Sequence, residues 1–392
     1  LTNPACPGHS PAWSGLLAGA DTSYDPYRVL VRLSIDHWQP MSLMDFKILP
    51  GISFAGAGPD ELNEQLQEFS RRPVGTGAYR LAGYASSDDG APTEVRFVAN
   101  PHYREEGLPK IREIVFQHLE AADAEEKFKS GEVDLIYGVQ PEIVNRLAQA
   151  GHAVQILKPP AVTFLAPNYG RSALENEDVR LAIAQAIDRE SILKQHFRPG
   201  GRDADHAAVT GPYPKFAADS RPCWAYNTAL AGFNPELAAA HAEEACKQLN
   251  RTSLKLDLIY PGGRPDVEQA CRQIAETVRQ RTAGDGRTCI ELTAKKIDPG
   301  AFYDRVTSAH DFDLAYWSHT FEDSTYWLEP LLDEDEAARR PGGLNFMGYV
   351  PDEDLARLFS GIRKHKQFRR IQDLTHEVHE HVFSKAIIIP LW

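Results

Sequence analysis

Between residues 235 and 317 the chain alternates two hydrophobic periods, and this alternation limits the possible folds more than any other feature. Residues 235–249 and 266–281 place apolar side chains at helical spacing, whereas 254–260, 289–293 and 312–317 are short apolar runs of strand length. Helices alternating with strands at this pitch predict an α/β sheet. A smaller block of the same kind lies upstream. There, an alternating strand over 111–118 precedes a helix over 121–130 closed by Gly131, and Asp134-Leu135-Ile136-Tyr137 reads as a short buried strand. Strand, helix and strand within about 30 residues is the size of a βαβ unit.

The remaining segments fit around these blocks. Residues 79–81 and 94–98 read as paired strands across the turn-rich Ser86-Ser87-Asp88-Asp89-Gly90. Residues 27–35 alternate as a half-buried strand, and 59–69 predict a short helix with Asp60 as its N-cap. An amphipathic helix over 179–187 carries Glu177 and Asp178 at its positive end. The stretch 198–234 is a Pro-, Gly- and Ala-containing loop region, long enough to suggest a functional surface. Helices at 351–364 and 367–384 lead into the apolar run 386–391. No repeat of fixed period is present.

At 392 residues the chain has room for two or three domains. Its 55 Asp and Glu against 42 Lys and Arg give a net charge of −13, which argues against a nucleic-acid partner. The basic runs Arg363-Lys364-His365-Lys366 and Arg369-Arg370 are short, and a solvated helix face accounts for them. No stretch approaches the roughly 18 apolar residues that cross a bilayer. The five cysteines, Cys6, Cys223, Cys246, Cys271 and Cys289, show no CxxC spacing, which speaks against a structural zinc site. Cys246, Cys271 and Cys289 fall on consecutive elements of one α/β unit, where pairing is geometrically open.

Catalytic motifs are sparse. Gly75-Thr76-Gly77 lacks both the Lys-Ser/Thr of a P-loop and the third glycine of a dinucleotide loop, and no GxSxG elbow occurs. His376, His379 and Glu380 share a helix face, but the order is HExH rather than HExxH. A polar helix face opposite Ile371, Leu374, Val378 and Val382 explains that cluster, so no metal site is assigned. The aromatic and acidic segment 317–327 follows a predicted strand, a usual position for ligand contacts in α/β sheets. Its Tyr and Trp rings offer stacking surface and its acids a partner for a cation; aromatic packing with solvated acids accounts for the segment equally well.

Several segments, taken together and in order, resemble the family 5 extracellular solute-binding proteins, which include oligopeptide-, dipeptide- and nickel-chelate-binding proteins of ABC importers. They are Ile48-Leu49-Pro50, Pro73-Val74-Gly75-Thr76-Gly77-Ala78-Tyr79-Arg80, Asn100-Pro101-His102-Tyr103 with Gly107-Leu108-Pro109, and Phe128-Lys129-Ser130-Gly131-Glu132-Val133-Asp134. Asn168-Tyr169, Asp178-Val179-Arg180-Leu181-Ala182-Ile183, Ala186-Ile187-Asp188-Arg189-Glu190, Phe312-Asp313-Leu314-Ala315 and Ile389-Pro390-Leu391 continue the series.

The resemblance implies a two-lobed, periplasmic-binding-protein-like (type II) α/β fold that closes on a ligand without covalent chemistry or a cofactor. It implies a monomer in the periplasm or another extracytoplasmic space, associated with the membrane through an ABC permease. On that pattern 1–70 is a remainder of lobe one, 71–162 is lobe one, 163–385 is lobe two, and 386–392 is a strand returning toward lobe one. Set against the family, lobe one is expected to be incomplete at both chain ends. Arg180 and Asp188 are expected to serve packing or an ion pair.

The implied ligand contacts are Asn168, Tyr169, Trp317, His319, Thr320, Glu322, Asp323, Asn345 and Trp392. Peptide-binding members place an Asp after the strand matching 312–317. Alignment on Trp317 puts Thr320 there, whereas alignment on Phe312-Asp313 puts Glu322 there. A ligand-sensing domain of a larger regulatory protein is the alternative reading, and a metal-dependent hydrolase resting on the His376 cluster is a distant third.

Overall fold

The computed structural model describes residues 17–392 except 24, 26, 35–47, 55, 57, 88–91, 140, 156–158, 199–205, 218, 220, 229–233, 285–286, 322–323 and 333–342. Its contacts divide the chain into two compact units. One takes the described residues of 45–154; the other takes those of 155–392 together with a hairpin of β1 (Leu17–Asp21) and β2 (Leu30–Leu33). The sequence predicts one strand here, over 27–35 and within the segment 1–70 expected as a remainder of lobe one; the observed strand is shorter and pairs with Leu17–Asp21.

The first unit opens with α1 (Pro59–Arg71). Its N-cap is Gly58 with Pro59 in the first turn, so the expected cap Asp60 lies inside the helix. Strands β3 (Tyr79–Ser86), β4 (Pro92–Ala99) and β5 (Glu113–Gln117) form an antiparallel sheet in chain order. Helix α2 (Ala121–Ser130) ends on Gly131 at φ 79°, where a side chain would be strained, and Gly131 N–H bonds the Phe128 carbonyl. The buried strand expected at Asp134–Tyr137 does not form. Leu135 is 75% and Tyr137 82% exposed, and no strand pairs with them among the described residues. Among its described residues the unit therefore has no parallel βαβ crossover. It closes with α3 (Pro141–Gln149), whose Arg146 joins Lys129 in gripping the Glu125 carboxylate.

The second unit carries the alternation read from the sequence. Its strands are β6 (Ala161–Pro167), β7 (Leu254–Pro261), β8 (Ile290–Ile297), β9 (Leu314–Thr320) and β10 (Ile389–Pro390), in spatial order β8-β7-β9-β6-β10. Strands β7, β8 and β9 run parallel, while β6 is antiparallel to both of its neighbours. Segment 386–392, expected to return toward lobe one, thus supplies the edge strand of this sheet. Its proline sits where no ladder donor is needed.

Helices cover both faces. Leu256, Leu258, Tyr260 and Leu292 pack with α4 (Glu177–Ala186), α5 (Pro235–Gln248) and α6 (Pro265–Arg281). Val162, Phe164, Ile259 and Ala315 face α7 (Pro299–Thr307), α8 (Glu353–Lys364) and α9 (Phe368–Ser384). The period of two along each strand sends alternate side chains into these two cores. Asn176 caps α4 through the Val179 N–H, with Glu177 and Asp178 in the first turn as the dipole favours. Asp188 caps the short helix Arg189–Ile192 and makes no ion pair among the described residues.

Candidate ligand-binding site

The β6–β9 ladder has two ends, and the expected site residues divide between them. Thr320 pairs with Ala161 at one end and Leu314 with Pro167 at the other, about 20 Å away at 3.3 Å per residue. The Thr320 end is also where β7, β8 and β9 finish, at Pro261, Ile297 and Thr320. The carboxyl ends of parallel strands are the usual place for ligands in open α/β sheets. Asn168 and Tyr169 lie beyond the opposite, amino end.

At the carboxyl end, Trp317 and His319 point to the same face. The indole packs against Phe346 at 4.5 Å and stacks on Phe302 at 6.2 Å. His319 is half-buried and meets Phe321 edge-on at 4.8 Å, and desolvation pulls its imidazole pKa below the ordinary value. Phe321 in turn touches Tyr213 and Tyr326. Phe321 lies within the aromatic segment 317–327 singled out by the sequence but is not among the contacts that the resemblance implies. Thr320 is exposed on the other face. No side-chain hydrogen bond involves Trp317, His319 or Thr320 among the described residues. Glu322 and Asp323 lie outside the described residues.

Trp392 belongs to the opposite core. Its ring packs on Phe197 at 5.0 Å and Tyr316 at 6.2 Å, while its carbonyl accepts the Thr163 N–H at 2.7 Å. The sheet therefore stands between Trp392 and the Trp317–His319 face.

The amino end holds an open pocket of about 700 Å³ lined by Asn168, Tyr169, Arg180, His310, Tyr349 and neighbouring residues. Its polar groups are largely committed. Asn168 Nδ2 donates to the His310 and Phe312 carbonyls, and its Oδ1 accepts from Gly170 N–H. Tyr169 donates its hydroxyl proton to the Ile387 carbonyl at 2.9 Å, and burial pushes its phenol pKa up. Asn345 is fully buried and bonds both the carbonyl and the N–H of Tyr349. These side chains fasten loops to the sheet. Arg180, expected to serve packing or an ion pair, instead bonds four backbone carbonyls.

The histidines of α9 have separate partners. His376 Nε2–H donates to the Trp224 carbonyl at 2.8 Å, and His379 Nδ1 accepts the Asn227 N–H at 3.1 Å. His381 bonds Asp352 at 2.9 Å. No group of three or more His, Cys, Asp or Glu suited to a metal ion occurs among the described residues. The helix turns Ile371, Leu374, Val378 and Val382 to the core as the periodicity predicts, but His379 is buried with them.

Desolvation and the nearby His376 lower the His379 pKa to about 4 from 6.5. The unfolded chain therefore binds one more proton between those values. Stability from neutral His379 is present above pH 6.5 and is lost as pH falls to about 4, by about 3 kcal/mol in all. Urea midpoints measured across this window should fall less steeply for His379→Gln than for the unaltered protein. Parallel slopes would remove His379 as the source.

A family model described as bacterial extracellular solute-binding proteins, family 5 Middle, matches residues 24–338. The chain belongs to this family. One relative is the probable ABC transporter periplasmic-binding protein SapA of Escherichia coli strain K12, 23% identical over 280 residues, which make up 69% of this chain and 46% of SapA. The chain thus spans about half the length of that relative. Among solved structures, the ABC transporter-associated periplasmic binding protein DppA from Helicobacter pylori, in complex with peptide STSA, has a TM-score of 0.78 at 18% identity. The match covers 97% of this chain and 69% of DppA. NikZ from Campylobacter jejuni in complex with Ni(L-His) has a TM-score of 0.74 at 16% identity, over 96% of this chain and 71% of NikZ. These likenesses establish an α/β fold shared with periplasmic binding proteins. No helix among the described residues is long and apolar enough to cross a membrane.

Proposed function

We propose that this protein captures a peptide-like or other small polar solute for an ABC importer, acting as a monomer in an extracytoplasmic compartment and meeting the membrane through the permease. The observation that carries the site is the common finish of three parallel strands beside His319, Thr320 and Trp317, whose polar side-chain atoms make no hydrogen bonds among the described residues. An indole and an imidazole there would cover apolar ligand surface and donate or accept a hydrogen bond. Glu322 and Asp323, next in the chain, would pair with a cationic group such as a peptide amino terminus. Asn168, Tyr169, Asn345 and Trp392 belong to the frame in this reading, since their polar groups or rings are engaged with the protein's own backbone and core.

Titration calorimetry against panels of short peptides and nickel–amino-acid chelates tests the proposal. A peptide should bind, and His319→Ala should weaken it about ten- to thirtyfold, about 1.4–2 kcal/mol. Binding of no panel member, or an unchanged Kd in the variant, would sink it.

A further inference from the structure

Two cysteines on different elements meet at the edge of the second unit. Cys246 lies in the last turn of α5, and Cys289 directly precedes β8. The Cys246 thiol donates to the Cys289 carbonyl oxygen at 3.7 Å, which brings its sulfur against the backbone of Cys289. The backbone on each side is held independently. Arg251 N–H bonds the Cys246 carbonyl at 2.9 Å, and Leu254 N–H bonds the Cys289 carbonyl at 2.7 Å. A covalent link between the sulfurs would leave these bonds in place.

The other described cysteines differ. Cys271 is fully buried on α6, and Cys223 belongs to the opposite core. Cys289 is only partly buried, so an external oxidant reaches it first.

We propose that Cys246 and Cys289 form a disulfide that ties the end of α5 to the start of β8. The oxidant is a small disulfide such as oxidised glutathione. The Cys289 thiolate attacks it, forming a mixed disulfide and releasing one glutathione thiolate, which takes up the Cys289 proton. The Cys246 thiolate then attacks the Cys289 sulfur, and the second glutathione leaves with the Cys246 proton. Two protein thiols lose two electrons, and one glutathione disulfide becomes two thiols. Desolvation and the neighbouring thiol raise the Cys246 pKa to about 11, so this closing step should quicken as pH rises. An oxidising compartment, which the family's extracytoplasmic setting supplies, favours the bond. The link needs no ligand, so its failure and that of the ligand reading are separable.

The test treats the purified, reduced chain with oxidised glutathione at pH 8, blocks remaining thiols in denaturant, and maps the digest by mass spectrometry. The expected result is a peptide linking Cys246 to Cys289, a thiol count lower by two, and a rise in melting temperature reversed by dithiothreitol. Cys246→Ser should stop at glutathione on Cys289. A bridge through Cys271, a mixed disulfide that never closes in the unaltered chain, or an unchanged thiol count would overturn the proposal.

Discussion

Gly211→Ala is expected to destabilise the protein by about 3–5 kcal/mol, although it adds a single methyl group. A Cβ at Gly211 would lie 2.1 Å from Nε2, 2.2 Å from Cδ2 and 2.7 Å from Cε1 of His379. That ring cannot easily step aside. It is fully buried, it accepts the Asn227 N–H, and the rings of Tyr226 and Tyr213 stand 4.9 and 6.0 Å away. Overpacking of this kind costs about 1–3 kcal/mol, and stranding the Asn227 N–H adds about 1–3 more. Combining Gly211→Ala with His379→Ala should recover part of the loss, because the second change removes the obstructing ring. Urea midpoints of both single variants and the double variant give the coupling directly. Simple additivity would mean that the methyl group and the ring do not meet.

Arg180→Met should cost about 3–5 kcal/mol by a different route. The buried guanidinium donates to the carbonyls of Leu174 and Glu175 from one segment and of Lys385 and Ala386 from another. It makes no ion pair among the described residues. Its charge instead faces the negative end of α9, with the Tyr169 ring 5.0 Å away. Methionine fills similar space but leaves two buried and two part-buried acceptors to find other donors. Arg180→Lys should recover less than half, since an ammonium group lacks the fork that spans both segments. Hydrogen exchange at 387–391 should speed up in both variants, because the turn at Ala386 sets the path into β10. A loss below about 1 kcal/mol in Arg180→Met would show that water replaces the guanidinium.

Much of the second unit was legible because each element has a period or a punctuation mark of its own. The apolar spacing of α5, α6, α8 and α9 and the strand runs of β7 and β9 carry their own boundaries to within a few residues. Gly131 marks the end of α2 by the same local logic. Pairing is a different matter. Asp134-Leu135-Ile136-Tyr137 has strand composition, but a strand needs a neighbour, and composition cannot supply one. The candidate site suffered in the same way. Asn168 and Thr320 both lie near termini of adjacent strands, and only the antiparallel register of β6 and β9 puts them at opposite ends. Trp392 and Trp317 are divided by the sheet because β10 joins the edge of β6, a partnership across more than two hundred residues. His379 had the opposite fault: a residue type that suggests chemistry holds the loop containing Asn227.

The position of β6 also sets an order of events during synthesis. This strand lies between β9 and β10, both encoded far downstream, so Phe164 and Leu165 leave the ribosome long before either neighbour exists. Until Ile389 emerges, one margin of the sheet presents open donors and acceptors beside a strongly apolar strand, the state most prone to pairing with another chain. A strand of only two residues is therefore the one whose late arrival removes the hazard, and a nascent chain stalled before it would need a chaperone to cover β6.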